Sequence, residues 1–93
     1  MISQVEKNII QKILMPFNPK MVGIFGSFSR NEETIHSDID ILVDLEKEYH
    51  LLDLIGLEQE LSEILGRKVD LITLRSIESN LLPYIQKDLI RLI

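Results

Sequence analysis

The spacing of hydrophobic residues divides the chain into helical and extended segments. Near the N-terminus, apolar residues recur every three or four positions up to a proline, and Ser3 followed by Glu6 is typical of a helix-capping box. Residues 4–15 are therefore predicted to form the first helix. A second amphipathic pattern covers residues 51–65 and is followed by Gly66, a residue type that often ends helices in the left-handed conformation.

Short apolar runs rich in β-branched residues predict three strands. These runs are Met21–Phe25, Ile39–Val43 and Val69–Thr73, and residues that favour loops or turns flank them. Residues 81–93 have apolar positions at helical spacing with Pro83 in the first turn, so they are predicted to form the last helix.

The order of these elements predicts the fold class. A short helical turn is expected at the start of the polar segment 27–37, which gives the order αβαβαβα. We expect an α+β fold in which a small mixed sheet packs against helices. A chain of 93 residues has the size of one domain, so residues 1–93 are predicted to be a single domain.

Composition and charge narrow the range of functions. No apolar run approaches the roughly 20 residues that span a bilayer, and the N-terminus lacks the pattern of a secretory signal, so we expect a cytoplasmic protein without membrane contact. The sequence has no cysteine, which excludes disulfides and thiolate chemistry. Between Glu32 and Glu63, eleven acidic residues accompany a single basic one, Lys47. Direct binding of nucleic acid is therefore not expected.

Two aspartates at the start of the second predicted strand form a candidate metal site. Because side chains alternate along a strand, Asp38 and Asp40 are expected on one face, about 6 to 7 Å apart. At an effective dielectric constant near 20, two carboxylates at that distance repel each other by roughly 2 to 3 kcal/mol. A divalent cation would offset this repulsion, and oxygen ligands favour Mg²⁺ or Mn²⁺. The alternative is a solvated strand end, which such short motifs often are.

A glycine-serine pair, separated from the aspartates by ten residues, strengthens the functional interpretation. Gly26 allows the backbone to approach phosphate oxygens closely, and the Ser27 hydroxyl can donate a further hydrogen bond. Free N–H groups at the start of a helical turn also favour an anion. The two motifs together predict a site for a metal-nucleotide complex.

The combined pattern resembles the G-S-x10-D-x-D signature of the DNA polymerase β-like nucleotidyltransferase superfamily. The segments GSFSR, SDIDILVDL, LLDLIGLEQELSEILGRKVDLIT and LLPYIQKDLIRLI are similar in order and spacing to those of its smallest members, the minimal nucleotidyltransferase (MNT) family. The resemblance implies a nucleotidyltransferase fold for most of the chain. This sequence departs from the family at Asn31, where glycine is usual, and asparagine tolerates the positive φ of such a turn better than most residues.

The resemblance also implies roles for individual residues. Asp38 and Asp40 would bind two Mg²⁺ ions, with Mn²⁺ as the alternative, and Gly26 and Ser27 would hold the β- and γ-phosphates of ATP. A third acid is expected on the following strand, where Asp70 would be a metal ligand or the general base toward the incoming hydroxyl.

The residues themselves leave two roles open. Asp70 is equally well interpreted as an edge-strand acid paired with Arg67 or Lys68. Arg30, one turn after the serine, is placed to bind phosphate oxygens, but an arginine in a polar loop is more often solvated.

The implied activity is transfer of AMP from ATP to a hydroxyl group. Minimal members of the family resemble the antitoxins of toxin-antitoxin pairs, whose partner is a HEPN-domain toxin, and the expected acceptor is a tyrosine of that toxin. Two alternatives stay open: an antitoxin that neutralises the toxin by docking alone, and a small-molecule transferase of the aminoglycoside type. The sequence does not define whether the chain self-associates.

Overall fold

The computed structural model describes residues 2–47 and 49–93. In chain order the helices and strands are α1 (Gln4–Leu14), β1 (Pro19–Phe25), β2 (Ile39–Leu45), α2 (Leu51–Leu65), β3 (Val69–Thr73), α3 (Leu82–Lys87) and β4 (Ile90–Arg91). Single turns of 3-10 helix also occur at Met15–Phe17, Gly26–Phe28 and Leu74–Ser76. The predicted α+β class is confirmed, and the expected helical turn after β1 is the 3-10 turn that begins at Gly26.

The four strands form one mixed sheet in the order β3-β2-β1-β4. β1 pairs antiparallel with both β2 and β4, whereas β2 and β3 are parallel. α2 makes the crossover that a parallel pair requires. As a result, the end of β1 and the starts of β2 and β3 lie at the same end of the sheet.

One hydrophobic core joins the sheet to the two longer helices. α1 contributes Ile10 and Leu14, and α2 contributes Leu57 and Leu61, all of them buried. Their partners on the sheet include the apolar side chains Val22, Ile24, Ile39, Ile41, Val43 and Val69. Full burial of each such side chain stabilises the fold by roughly 1.5 to 3 kcal/mol. The core therefore fixes the strands that carry the candidate residues.

The start of α1 follows the sequence prediction. The Ser3 hydroxyl accepts a hydrogen bond from the Glu6 amide at 3.1 Å, and the Glu6 carboxylate accepts one from the Ser3 amide at 2.9 Å. Such reciprocal capping satisfies two amides that a helix leaves unpaired. Among the helices of the described residues, none is both long and apolar enough to cross a membrane.

The predicted helix over residues 81–93 is wrong beyond Lys87. After α3 the chain becomes extended, and Ile90–Arg91 pair with Gly23 and Ile24 of β1. The Leu92 amide then donates to the Val22 carbonyl at 2.7 Å. The outer edge of β1 would otherwise expose unpaired backbone groups, so pairing across the sheet outweighs the helical spacing of the apolar residues.

Candidate functional site

The candidate residues meet at the end of the sheet where β1 finishes and β2 and β3 begin. Phe25, the last residue of β1, is paired with Asp40 of β2. Asp40 is in turn paired with Asp70 of β3. The backbone register therefore brings the glycine-serine turn, which follows Phe25, next to two of the three predicted acids.

Gly26 lies directly against the Asp40 carboxylate. Its φ is +74°, and a Cβ built on it would overlap Asp40 Oδ2 and lie 3.2 Å from Asp40 Cγ. The Gly26 carbonyl accepts hydrogen bonds from the Ser29 amide at 3.1 Å and the Ser29 hydroxyl at 2.7 Å, which close the turn. Both the conformation and the lack of a side chain are thus needed at this position.

The turn itself offers hydrogen-bond donors to an anion. The first N–H groups of a helical turn have no partner inside it. Because Gly26–Phe28 is a single 3-10 turn, these N–H groups, and not the dipole of a long helix, are what it can provide. Ser27 is half-buried, and its hydroxyl makes no hydrogen bond to another described residue.

Asp40 and Asp70 form a contact that favours a proton or a cation. Burial raises the pKa of Asp40 from 3.8 to about 6, with further contributions from the negative charges of Asp70 and Asp38. A side-chain hydrogen bond with Asp70 also raises this pKa, because it requires a proton on one of the two carboxyl groups. Positive charge at this point would replace that proton.

Lys68 supplies part of the missing positive charge. Its Nζ lies 3.8 Å from Asp38 Oδ2 and 3.8 Å from Asp70 Oδ1. The lysine side chain is 70% exposed, so each ion pair is weak and readily exchanged. Of the two basic partners that the sequence offered for Asp70, the structure pairs it with Lys68 and directs Arg67 elsewhere.

The carboxylate oxygens suit a hard divalent cation, although the three side chains do not converge on one point. No three His, Asp or Glu side chains within residues 2–47 and 49–93 are arranged to hold a metal ion together. Asp40 and Asp70 are nevertheless in contact, and Asp38 is joined to Asp70 through Lys68. An all-carboxylate set of this kind suits Mg²⁺ or Mn²⁺. Asp40 and Asp70 would hold the ion, and Asp38 would join them after releasing Lys68.

Arg30 is engaged with acidic side chains in this structure. Its guanidinium lies 3.4 Å from Glu32 and 3.5 Å from Asp88 of the segment after α3. Its charge is close enough to lower the pKa of Asp40, against the larger effects that raise it. Asn31 has a φ of +61°, which confirms the positive φ expected where the family usually has glycine.

A cleft away from the acids offers no comparable chemistry. It has a volume of about 350 Å³ and lies at the opposite end of β2 and β3, beside Leu45 and Thr73. Among residues 2–47 and 49–93, its lining has no carboxylate. Of these two places, the one with acidic side chains beside a glycine turn is the end of β1 and the starts of β2 and β3, where Gly26, Asp40 and Asp70 lie together.

Comparison with known proteins agrees with this geometry. The family described as Polymerase beta, Nucleotidyltransferase matches residues 7–93. A relative from Methanocaldococcus jannaschii, named as a protein adenylyltransferase, is 46% identical over 76 residues, which are 82% of this chain and 81% of that protein.

Two solved structures have the same fold and share more than a quarter of their aligned residues with this chain. One is a toxin-antitoxin with AMP-PNP, with a TM-score of 0.87, 29% identity, and coverage of 94% of this chain and 72% of that one. The other is a tri-AMPylated Shewanella oneidensis HEPN toxin in complex with its MNT antitoxin, with a TM-score of 0.82, 28% identity, and coverage of 99% and 72%. The family match over nearly all of the described residues shows that the chain belongs to the polymerase β nucleotidyltransferases.

Proposed function

We propose that the protein is a Mg²⁺-dependent enzyme that transfers AMP from ATP to a tyrosine of a HEPN-domain toxin, and so acts as the antitoxin. The observation that carries the proposal is the contact between the Gly26 turn and the carboxylate of Asp40, the residue that is paired with Asp70 of the neighbouring strand. Phosphate-binding backbone and paired acids thus lie side by side. The similar toxin-antitoxin structures, one with AMP-PNP and one with an AMPylated HEPN toxin, support the choice of nucleotide and acceptor.

The residues of the chain divide the chemistry between them. Backbone N–H groups of the Gly26–Phe28 turn and the Ser27 hydroxyl bind the β- and γ-phosphates. Asp38, Asp40 and Asp70 hold Mg²⁺, which neutralises phosphate charge when it is bound. Arg30 reaches the phosphates only after it leaves Glu32 and Asp88.

The transfer itself is an in-line substitution at phosphorus. The Asp70 carboxylate accepts the proton of the tyrosine hydroxyl, whose oxygen forms a bond to the α-phosphorus. The bond from that phosphorus to the bridging oxygen breaks, and pyrophosphate leaves with the electron pair. The neutral hydroxyl of the toxin tyrosine thereby becomes a phosphodiester linked to adenosine, which adds negative charge and bulk at that position.

The experiment is AMP transfer to a purified HEPN partner with ATP and Mg²⁺, followed by intact-mass measurement of both proteins. We expect the mass of the partner to increase by whole AMP units, and the increase to disappear when the acceptor tyrosine is changed to phenylalanine. The matched enzyme controls are Asp40→Asn and Asp70→Asn, which preserve side-chain volume but remove the charge.

Two outcomes would replace the proposal by an alternative. If the partner is inhibited without any change in mass, the chain is an antitoxin that acts by docking. If the partner is untouched while a small hydroxylated substrate such as an aminoglycoside acquires AMP, the acceptor class is different.

A further inference from the structure

The side chain of Arg67 joins separate parts of the nucleotide site. Its Nη1 donates hydrogen bonds to the Thr34 carbonyl at 2.9 Å and to the Ser37 carbonyl at 2.8 Å. The same guanidinium lies over the Phe28 ring, 4.9 Å from its centroid. Arg67 precedes β3 by two residues, so these contacts tie the loop before β2 to the segment that leads to Asp70.

The Phe28 contact reaches the phosphate-binding turn. Phe28 is the third residue of the Gly26–Phe28 turn, and its side chain is only 4% exposed. It belongs to the same core cluster as the strands of the sheet. A guanidinium stacked on this ring therefore restrains the turn that carries Gly26 and Ser27.

The Ser37 contact reaches the metal-binding segment. Asp38 lies just before the first residue of β2, so the strand holds the chain only on its C-terminal side. The carbonyl before it, on Ser37, is held by Arg67, and the amide after it, on Ile39, donates to the Lys68 carbonyl at 2.9 Å. Two consecutive residues, Arg67 and Lys68, thus anchor the backbone on both sides of Asp38.

The loop between the turn and Asp38 makes other hydrogen bonds that do not attach it to the sheet. The Ser37 amide donates to the Thr34 carbonyl at 3.1 Å, and the Thr34 amide donates to the Ser37 hydroxyl at 2.8 Å. The Glu32 amide donates to the Ser27 carbonyl at 2.9 Å. These bonds shape the loop internally, whereas Arg67 connects it to the start of β3.

We propose that Arg67 is a positioning residue that sets the distance between the phosphate-binding turn and Asp38. This inference rests on the proposed function, because it concerns the same nucleotide site. Arg67 acts through Phe28 and Ser37 and does not itself touch the substrate. Lysine can donate to the two carbonyls but lacks the flat group that stacks on the ring, so it can replace arginine only in part.

Arg75 provides a matched control. It also donates from one guanidinium nitrogen to two backbone carbonyls, those of Leu45 at 3.5 Å and Glu46 at 3.2 Å. These carbonyls lie at the end of β2 and just beyond it, at the end of the strand opposite to Asp40. Arg75→Met therefore removes a comparable contact without reaching the nucleotide site.

The experiment compares Arg67→Met, Arg67→Lys and Arg75→Met by AMP-transfer kinetics and by amide hydrogen exchange. We expect kcat/KM for ATP to fall by about 100-fold in Arg67→Met, the loss that a displacement near 1 Å can cause. Arg67→Lys should lie between Arg67→Met and wild type, and Arg75→Met should stay close to wild type. The amides of Glu32, Ser37 and Ile39 should exchange fastest in Arg67→Met, to an intermediate extent in Arg67→Lys, and as in wild type in Arg75→Met.

The two measurements separate failure of the inference from failure of the proposed function. If wild type transfers AMP and Arg67→Met keeps the kcat/KM of Arg75→Met, the positioning role is overturned. If wild type transfers no AMP, the proposed function fails, and hydrogen exchange decides the inference: faster exchange of the three amides supports it and unchanged exchange overturns it. Should Arg67→Met not fold, the same comparisons are made with Arg67→Lys, for which wild-type values in both measurements overturn the inference.

Discussion

Replacement of Gly26 by alanine tests whether the contact between the turn and Asp40 is essential. The φ of +74° at Gly26 costs an alanine about 1 kcal/mol, since the left-handed region is unfavourable for residues with a Cβ. The new Cβ would also overlap Asp40 Oδ2 and lie 3.2 Å from Asp40 Cγ. Backbone pairing of Phe25 with Asp40 keeps the two strands in place, so the Asp40 side chain has to rotate.

The two costs of this substitution appear in different measurements. Backbone strain lowers the free energy of unfolding by about 1 kcal/mol. Rotation of the Asp40 side chain instead moves its carboxylate away from the proposed metal position beside the turn. Loss of one preorganised electrostatic group slows an enzyme by about 100-fold or more. We therefore expect Gly26→Ala to remain folded and to transfer AMP at least about 100-fold more slowly.

Gly66→Ala is the control that isolates the strain. Gly66 ends α2 with a φ of +67°, and apart from its own chain neighbours and the adjacent helix backbone no described atom lies within 4 Å of a Cβ built there. Denaturant unfolding should show a similar loss of stability in both variants, while initial rates of AMP transfer should fall only in Gly26→Ala. Comparable transfer rates in the two variants would refute the claim that the glycine is required by Asp40.

Three further substitutions test the charges of the site. Without divalent cation, the free energy of unfolding should fall as pH rises from about 4 to 6, because the pKa of Asp40 is raised from 3.8 to about 6 and the folded state binds more protons in that window. Asp40→Asn should flatten this slope in pH-dependent denaturant unfolding, and a persistent slope would assign it to another group. Lys68→Met should change stability by less than about 1 kcal/mol, yet lower the Mg²⁺ concentration needed for thermal stabilisation; an unchanged Mg²⁺ midpoint would show that the ammonium does not compete. Asp70→Asn should abolish AMP transfer while circular dichroism stays native, and retained transfer would remove Asp70 from the mechanism.

Elements with a strong local pattern were predictable from the sequence. α2 has the expected bounds, Leu51–Leu65, because its apolar spacing and its terminal glycine act within one segment. β4 was not predictable in the same way. The apolar residues near the C-terminus fit a helix locally, and only the unpaired edge of β1, more than sixty residues earlier in the chain, makes them extended.

The candidate site shows the same division between local and distant information. The residues of the Gly26-Ser27 and Asp38–Asp40 motifs could be selected from their spacing alone. The contact of Gly26 with the Asp40 carboxylate depends on the pairing of β1 with β2, and no sequence spacing encodes it. The contacts of Arg67 depend on the path of a polar loop with no hydrophobic period, so the sequence offered Arg67 only as a partner for Asp70.

The place of Asp70 depends on the parallel pairing of β2 and β3. Asp70 is opposite Asp40 in this register. A slip of one residue would turn every side chain of β3 to the other face of the sheet, and would put Asp70 on the face away from Asp40. Selection of this acid as the third site residue is therefore a statement about strand register as much as about residue type.

Side chains of α2 help to fix the position of β3 at the edge of the sheet. Because β3 has only one neighbouring strand, its outward amides need other partners. The Val69 amide donates to the Ser62 hydroxyl at 2.9 Å, and the Leu71 amide donates to the Glu58 carboxylate at 2.7 Å. These bonds hold the two residues that flank Asp70, so the crossover helix positions the third acid as well as covering the core.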